Sequence, residues 1–255
     1  MNQFFSSKRF ALLVKKHWAD HKKRYSLSLF AFAGLLILWF LFTMLVIDDN
    51  DRMNSEVQMG TFFFALVTMG TFYASQYFRD LGSRPKGINF LLVPASSFEK
   101  ILCSLLFTIV LFFVVFTATF YLVDVLMVTV ANNFTMGNNS SQNAAVANVF
   151  EGVSLHFKLG YQVSFLPVFI SVQSAYLLGS AYFKKYSFIK TNISLFIAWL
   201  VLFSLAVLFH DIIIPDDNDS DQLPDWLAIS LILLAYVTAP LLWIVTYRTL
   251  KQKQV

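Results

Sequence analysis

Six long apolar runs, separated by shorter polar stretches, set the pattern of this chain. They lie at Leu27 to Ile47, Val57 to Phe78, Ile101 to Val130, Tyr161 to Phe183, Ile193 to Phe209 and Trp226 to Tyr247. A helix needs about 20 apolar residues to cross a bilayer. Each run therefore predicts a transmembrane helix, and the fold class is all-α, a polytopic membrane protein of six spans. The third run exceeds what a bilayer requires, so its helix is expected to tilt or project. Pro167 and Pro240 fall inside the fourth and sixth runs, where each removes a backbone donor and predicts a kink.

The segment ahead of the first run follows a different period. From Phe4 to Arg24, Phe10, Leu13, Val14 and Trp18 share one helical face with His17 and His21. Lys8, Lys15 and Lys22 recur every seven residues, as do Arg9, Lys16 and Lys23, and they fill the opposite face. That pattern predicts an amphipathic helix lying among lipid headgroups, cations toward anionic lipid. The expected organisation is an interfacial helix over 1–26 and a six-span membrane domain over 27–255.

Charge orients the bundle. Only 13% of residues are charged, against about one quarter in soluble domains. With the N-terminus inside, 17 of the 19 Lys and Arg residues fall on the inner side, leaving Arg52 and Lys158 outside. Positive residues flank spans on the cytoplasmic side, so both termini are expected there. The acids Asp48, Asp49, Asp51, Asp216, Asp217, Asp219, Asp221 and Asp225 lie on the other side. The net charge of +4 thus follows from membrane orientation, and no nucleic-acid partner is expected. The first apolar run begins only after a 26-residue segment rich in polar and basic residues and is too long for a secretory h-region, so no signal peptide is expected. A single cysteine, Cys103, excludes an internal disulfide and a cysteine-cluster metal site.

Catalytic and cofactor patterns are missing. The chain has no Gly-rich phosphate loop ending in Lys-Ser/Thr, no His-Glu-x-x-His, no Cys-x-x-Cys and no Gly-x-Ser-x-Gly. No cofactor, metal or enzymatic activity is expected of it. His17 and His21, four apart, lack a clear third ligand. Asp124 is the one clear ionisable group inside a span. It either reaches water at the outer end of the third helix or lines a pathway. Gly70 with Ala74, Thr71 with Ser75, and Ser171, Ala175 and Gly179 form small-residue stripes that allow close helix approach, within the chain or across a dimer. The outer loop Ala131 to Gly160 is rich in Asn and Ser, with a short helix expected near Ala144 to Phe150. Its Asn-x-Ser/Thr matches read as chance.

With no ATP site and almost no ion relay, a chain like this would need an external drive for any work across the membrane, which directs attention to the inner segment Arg79 to Lys100. Gly82 and Pro85 mark a turn and Gly87 a second bend. Ile88 to Val93 reads as a short apolar helix that Pro94 stops. Ser96 and Glu99 then have capping-box spacing, so the next helix starts there.

Arg79-Asp-Leu-Gly-Ser-Arg84 followed by Leu91-Leu-Val-Pro-Ala-Ser-Ser-Phe-Glu-Lys100 resembles the inner loop of ATP-binding-cassette type-2 permeases. It is most similar to a Bacteroidetes-like bacterial group with a Leu-Pro-Ala-Ser-Ser/Thr-x-Glu-Lys pattern, Val93 replacing the Leu. The resemblance implies a permease of the bacterial cytoplasmic (inner) membrane that dimerises, as a homodimer or heterodimer, and binds a cytoplasmic ABC ATPase subunit. It implies that Gly82, Arg84, Pro85, Lys86, Ile88, Phe90, Leu91, Pro94, Ser96 and Glu99 belong to a coupling segment for that ATPase. Arg84 and Lys86 would pair with its acids, and Ile88, Phe90 and Leu91 would anchor in it. Asp211 to Asp225 is short and acidic where several members carry re-entrant hairpins, so no polysaccharide or lipid mechanism carries over. The alternative reading is a non-transporting scaffold or regulatory subunit using the same inner surface.

Overall fold

The computed structural model describes residues 5–46, 54–135, 145–149, 154–156, 162–208 and 225–253. Helix α1 covers Ser7–Val46, α2 Ser55–Gln76, α3 Arg84–Leu91 and α4 Ser97–Leu105. A π-helical stretch, Leu106–Leu111, joins α4 to α5, Phe112–Thr135. Helices α6, Phe165–Tyr182, α7, Ser187–Leu208, and α8, Asp225–Gln252, follow. A short antiparallel ladder pairs β1, Ser154–His156, with β2, Gln162–Ser164. The architecture is helical, and among the described residues five helices are long and apolar enough to cross a membrane. Helix α8 occupies the position of the sixth apolar run.

Several boundaries differ from expectation, each for a local reason. Helix α1 runs 40 residues without interruption; the amphipathic segment and the first span are one helix. No Gly or Pro lies between Arg24 and Leu27 to break it. The fourth span starts at Phe165 because residues 162–164 are taken by the ladder. Pro167 then falls in the first turn of α6, where a missing N–H costs nothing, so it marks a start and not a kink. Pro240 does lie inside α8. The helix expected near Ala144 to Phe150 is absent over residues 145–149. Backbone groups there bond instead to Gln58: its Nε2 donates to the Ala145 carbonyl at 3.0 Å, and the Ala147 N–H donates to its Oε1 at 2.7 Å. The outer acids Asp48, Asp49, Asp51, Asp216, Asp217, Asp219 and Asp221, together with Arg52, Lys158, His210 and Asp211, lie outside the described residues.

The chain forms two compact units. The first comprises Met1–Gly70 and Leu102–Val153, the second Thr71–Ile101 and Ser154–Val255. The core of the first is aromatic. Phe32 of α1 meets Phe116 of α5 at 4.8 Å between ring centroids, and Phe40 meets Phe120 at 6.0 Å. Phe62 of α2 lies edge-on to both α5 rings, at 5.5 and 5.1 Å. Such edge contacts add about 0.5–1.5 kcal/mol each beyond area burial. Near the start of α1, His17 stacks on His21 at 4.5 Å and hydrogen-bonds the Tyr25 hydroxyl at 2.6 Å. Phe107 packs against His17 and Tyr25 from the π-helical stretch, whose extra residue per turn re-aims side chains. Among the described residues no three metal-ligating side chains gather.

The second unit is built around α6, which packs on α7 and α8. Small and hydroxylated residues line these seams. Thr238 donates to Ser171 at 2.8 Å and the Trp243 indole N–H to Ser174 at 2.7 Å. A Cβ on Gly179 would meet the Thr191 Oγ1 at 1.9 Å, so α7 approaches α6 closely there. The Ser171–Gly179 stripe therefore serves packing within the chain. Beyond Thr191, α7 is exposed around its circumference, as a lipid-facing helix is. Lys253, just past α8, donates to the Ala181 carbonyl near the end of α6. Burial and the neighbouring Lys184 lower the pKa of that ammonium.

Candidate partner-docking surface

The expected coupling segment, 79–100, lies wholly in the second unit. It is folded throughout. After α2, Arg79–Gly82 forms a 3-10 turn. There the Leu81 N–H donates to the Phe78 carbonyl at 3.0 Å and the Ser83 N–H to that of Asp80 at 3.3 Å. Helix α3 follows, with Pro85 in its first turn, where proline is pre-organised for helix. The helix begins four residues earlier than the apolar run suggested, because Pro85 starts a turn of helix instead of ending one.

One glycine is required for this platform to form. A Cβ on Gly82 would lie 2.0 Å from the carbonyl oxygen of Lys184. Backbone cannot rotate away, so only glycine fits. Gly87 is buried over the Leu81 backbone, 3.5 Å from where its Cβ would stand. Helix α3 thus rests on the 3-10 turn through its smallest residue.

The far end of α3 is tied to α4. Lys100 Nζ donates to the Leu91 carbonyl at 3.0 Å and stands 5.5 Å from the centroid of the Phe90 ring. That satisfies one of the open carbonyls at a helix C-terminus with a cation, the sign the helix dipole favours there. Phe90 also meets Phe78 edge-on at 5.9 Å. At the start of α4 the reciprocal cap is complete: the Ser96 N–H donates to Glu99 Oε2 at 2.9 Å and the Glu99 N–H to Ser96 Oγ at 3.1 Å. Glu99 and Lys100 are both fully buried. The polar residues of the Leu91–Lys100 motif therefore act inside the chain, as cap and brace.

What remains outward is one stripe of α3 and its exit. Pro85, Ile88, Asn89 and Leu92 follow at helical spacing, and all four are exposed, Ile88 by 56% and Leu92 by 74%. Pro94 and Phe98 are exposed beyond them. The anchors expected from sequence divide accordingly. Ile88 faces out, whereas Phe90 and Leu91 are half-buried on the bracing side. Leu92 and Phe98 were missed. With Pro85 in the first turn of α3, the i, i+3, i+4, i+7 spacing puts Leu92 on the same stripe. The side chains of Arg84 and Lys86 lie outside the described residues.

Asp124 lies in the first unit, on the α5 stripe that carries Phe116 and Phe120. It is fully buried, which excludes the water-exposed reading, and neither carboxyl oxygen has a hydrogen-bond partner among the described residues. In the second unit Gln173 of α6 is likewise buried, with both amide ends unpartnered among the described residues.

No protein-family model matches this chain, no curated protein matches it, and no solved structure matches it.

Proposed function

We propose that the protein is the permease subunit of an ATP-binding-cassette transporter, an exporter of six spans with both termini cytoplasmic in a bacterial inner membrane. The observation that carries this reading is the outward stripe of α3, apolar at Pro85, Ile88 and Leu92, on a helix braced from behind by Lys100, Phe78 and Gly87. A loose connecting loop needs no such bracing. A lever that transmits force from a partner does, because motion is lost in any slack between the docked helix and the spans. Residues 88–92 suit a helix-in-groove contact, with i and i+4 anchors. The sequence motif over 79–100 supports the same reading, as does a chain with no phosphate loop of its own.

ATP binding and hydrolysis belong to the partner ATPase in this scheme. Its stroke moves α3, and the rigid α3–α4 joint carries the motion into the third span. Two copies of the permease flank the pathway, and the basic first half of α1 continues the first span on the cytoplasmic side.

The test is purification from the native host in mild detergent, followed by mass spectrometry of what co-purifies. A stoichiometric ATPase with a phosphate loop is expected, and paired Ile88→Asp and Leu92→Asp substitutions should release it with the thermal midpoint unchanged. Recovery of the chain alone, or with a partner of another class, would replace the permease with a scaffold or regulatory subunit.

A further inference from the structure

We propose that Asp124 is a proton-binding site, holding its proton while α5 is packed against the α1–α2 hairpin. The argument begins with level. Trp39 of α1 hydrogen-bonds Thr61 of α2 at 3.1 Å. Each lies six or seven residues from the facing helix ends at Val46 and Ser55, so the two helices form an antiparallel hairpin. Phe120 of α5 touches Phe40 and Phe62 of that hairpin. One turn beyond Phe120 on the same stripe is Asp124. The corresponding steps on the other helices reach Thr43 of α1 and Gln58 of α2, both buried.

The polar groups at that level are already committed. Thr43 donates its hydroxyl to the Phe40 carbonyl at 2.8 Å. Gln58 uses its amide on Ala145 and Ala147. Thr117, the other buried α5 group unpartnered among the described residues, is seven residues away, about 10 Å along the axis.

Among the described residues no cation stands at that level. On α1 the nearest charged group is Arg24, nineteen residues before Thr43, about 28 Å of helix. On α2 it is Glu56, an exposed acid. The segment 145–149 has no titratable side chain, and Tyr121 is the other titratable group of α5.

Among the described residues an ionised carboxylate in this place meets neither a cation nor a donor, and burying one is far costlier than burying a neutral polar group. Metal cations such as calcium take six to eight oxygens. This level offers the carboxyl pair, one hydroxyl and one amide oxygen. A proton needs a single carboxylate oxygen, and the product is the neutral acid. Because release requires water to reach the carboxyl, proton loss is linked to parting of α5 from the hairpin. Intramembrane acids of this kind serve in proton relays.

The experiment uses the full chain in lipid nanodiscs. Infrared spectra at neutral pH should show a carboxylic-acid C=O band that Asp124→Asn removes. In parallel, the apolar reagent dicyclohexylcarbodiimide, which modifies protonated carboxyls in apolar surroundings, should label Asp124 of the native chain, read by peptide mass spectrometry. Labelling should fall as pH rises. Absence of the label at neutral pH, or a carboxylate signature in its place, would overturn the proposal. The labelling needs no variant, so a misfolded Asn chain leaves the answer intact. Neither readout involves an ATPase partner, so failure here and failure of the permease reading are separate results.

Discussion

Lys100, at the start of the third span, reaches back nine residues to the carbonyl of Leu91 and closes the end of α3 onto α4. One buried ammonium thereby converts two short helices into a single joint. Its removal tests whether the outward stripe is held or merely present. Lys100→Met keeps most of the apolar stem and deletes the donor. A hydrogen bond from a charged group is worth about 1.5–3 kcal/mol. Hydrogen exchange at the amides of Gly87 and Leu92, which close α3, should speed up by one to two orders of magnitude, with α8 unaffected. Unchanged exchange would show that Phe78 and Gly87 suffice.

The cap of α4 is a second, separable element. Ser96→Ala and Glu99→Ala each remove one arm of a reciprocal pair. A loss of about 1 kcal/mol is expected for the serine. The double variant should cost less than the sum of the singles, since both act on one structure. Thermal unfolding in a single detergent measures all three, and strict additivity would refute the cap as a coupled unit.

Gln58 pins residues 145–149 through two backbone bonds. Gln58→Leu leaves a buried donor at Ala147 without that partner, a penalty of about 1–3 kcal/mol. Limited proteolysis should then cut near Ala147 well before cleavage is seen in the wild type. Equal protection in the two proteins would show that the segment is held by Val149 and Ala147 burial alone.

Glycine substitutions offer a contrast within one chain. Gly82→Ala drives a methyl into the Lys184 carbonyl, 2.0 Å away, and overpacking against backbone costs about 1–3 kcal/mol. Gly34→Ala meets nothing within 4 Å and should gain up to about 1 kcal/mol from helix propensity. Gly179→Ala collides with the Thr191 hydroxyl at 1.9 Å, and Thr191→Ala in the same chain should recover part of the loss, because the Thr191 Cβ stays 3.0 Å away. Melting midpoints lowered by Gly82→Ala and Gly179→Ala but not by Gly34→Ala would bear out the close approaches, and equal midpoints would refute them.

The spans were legible because lipid imposes a local rule: each crossing must be a long apolar helix, so composition along a window is enough. The Ser96–Glu99 cap was legible for a similar reason, its two halves being three residues apart. Residues 145–149 were not, since their partner Gln58 lies 87 and 89 residues away in the chain. Pro167 was misread because the ladder of residues 154–164 moved the start of α6, and a proline's meaning depends on its place in the helix.

The sequence by itself determined that the protein is helical, that it enters a membrane and that residues 79–100 hold a short helix and a cap. Period and composition act over a few residues or a single span, and nothing distant can cancel them. Tertiary structure alone decided which side of α3 faces outward, because Lys100, Phe78 and the Lys184 backbone choose it from three other elements. It also decided that Asp124 is sealed between helices. A carboxyl in a span has the same sequence signature whether it meets water or packed side chains, and only its full burial in the folded chain distinguishes the two.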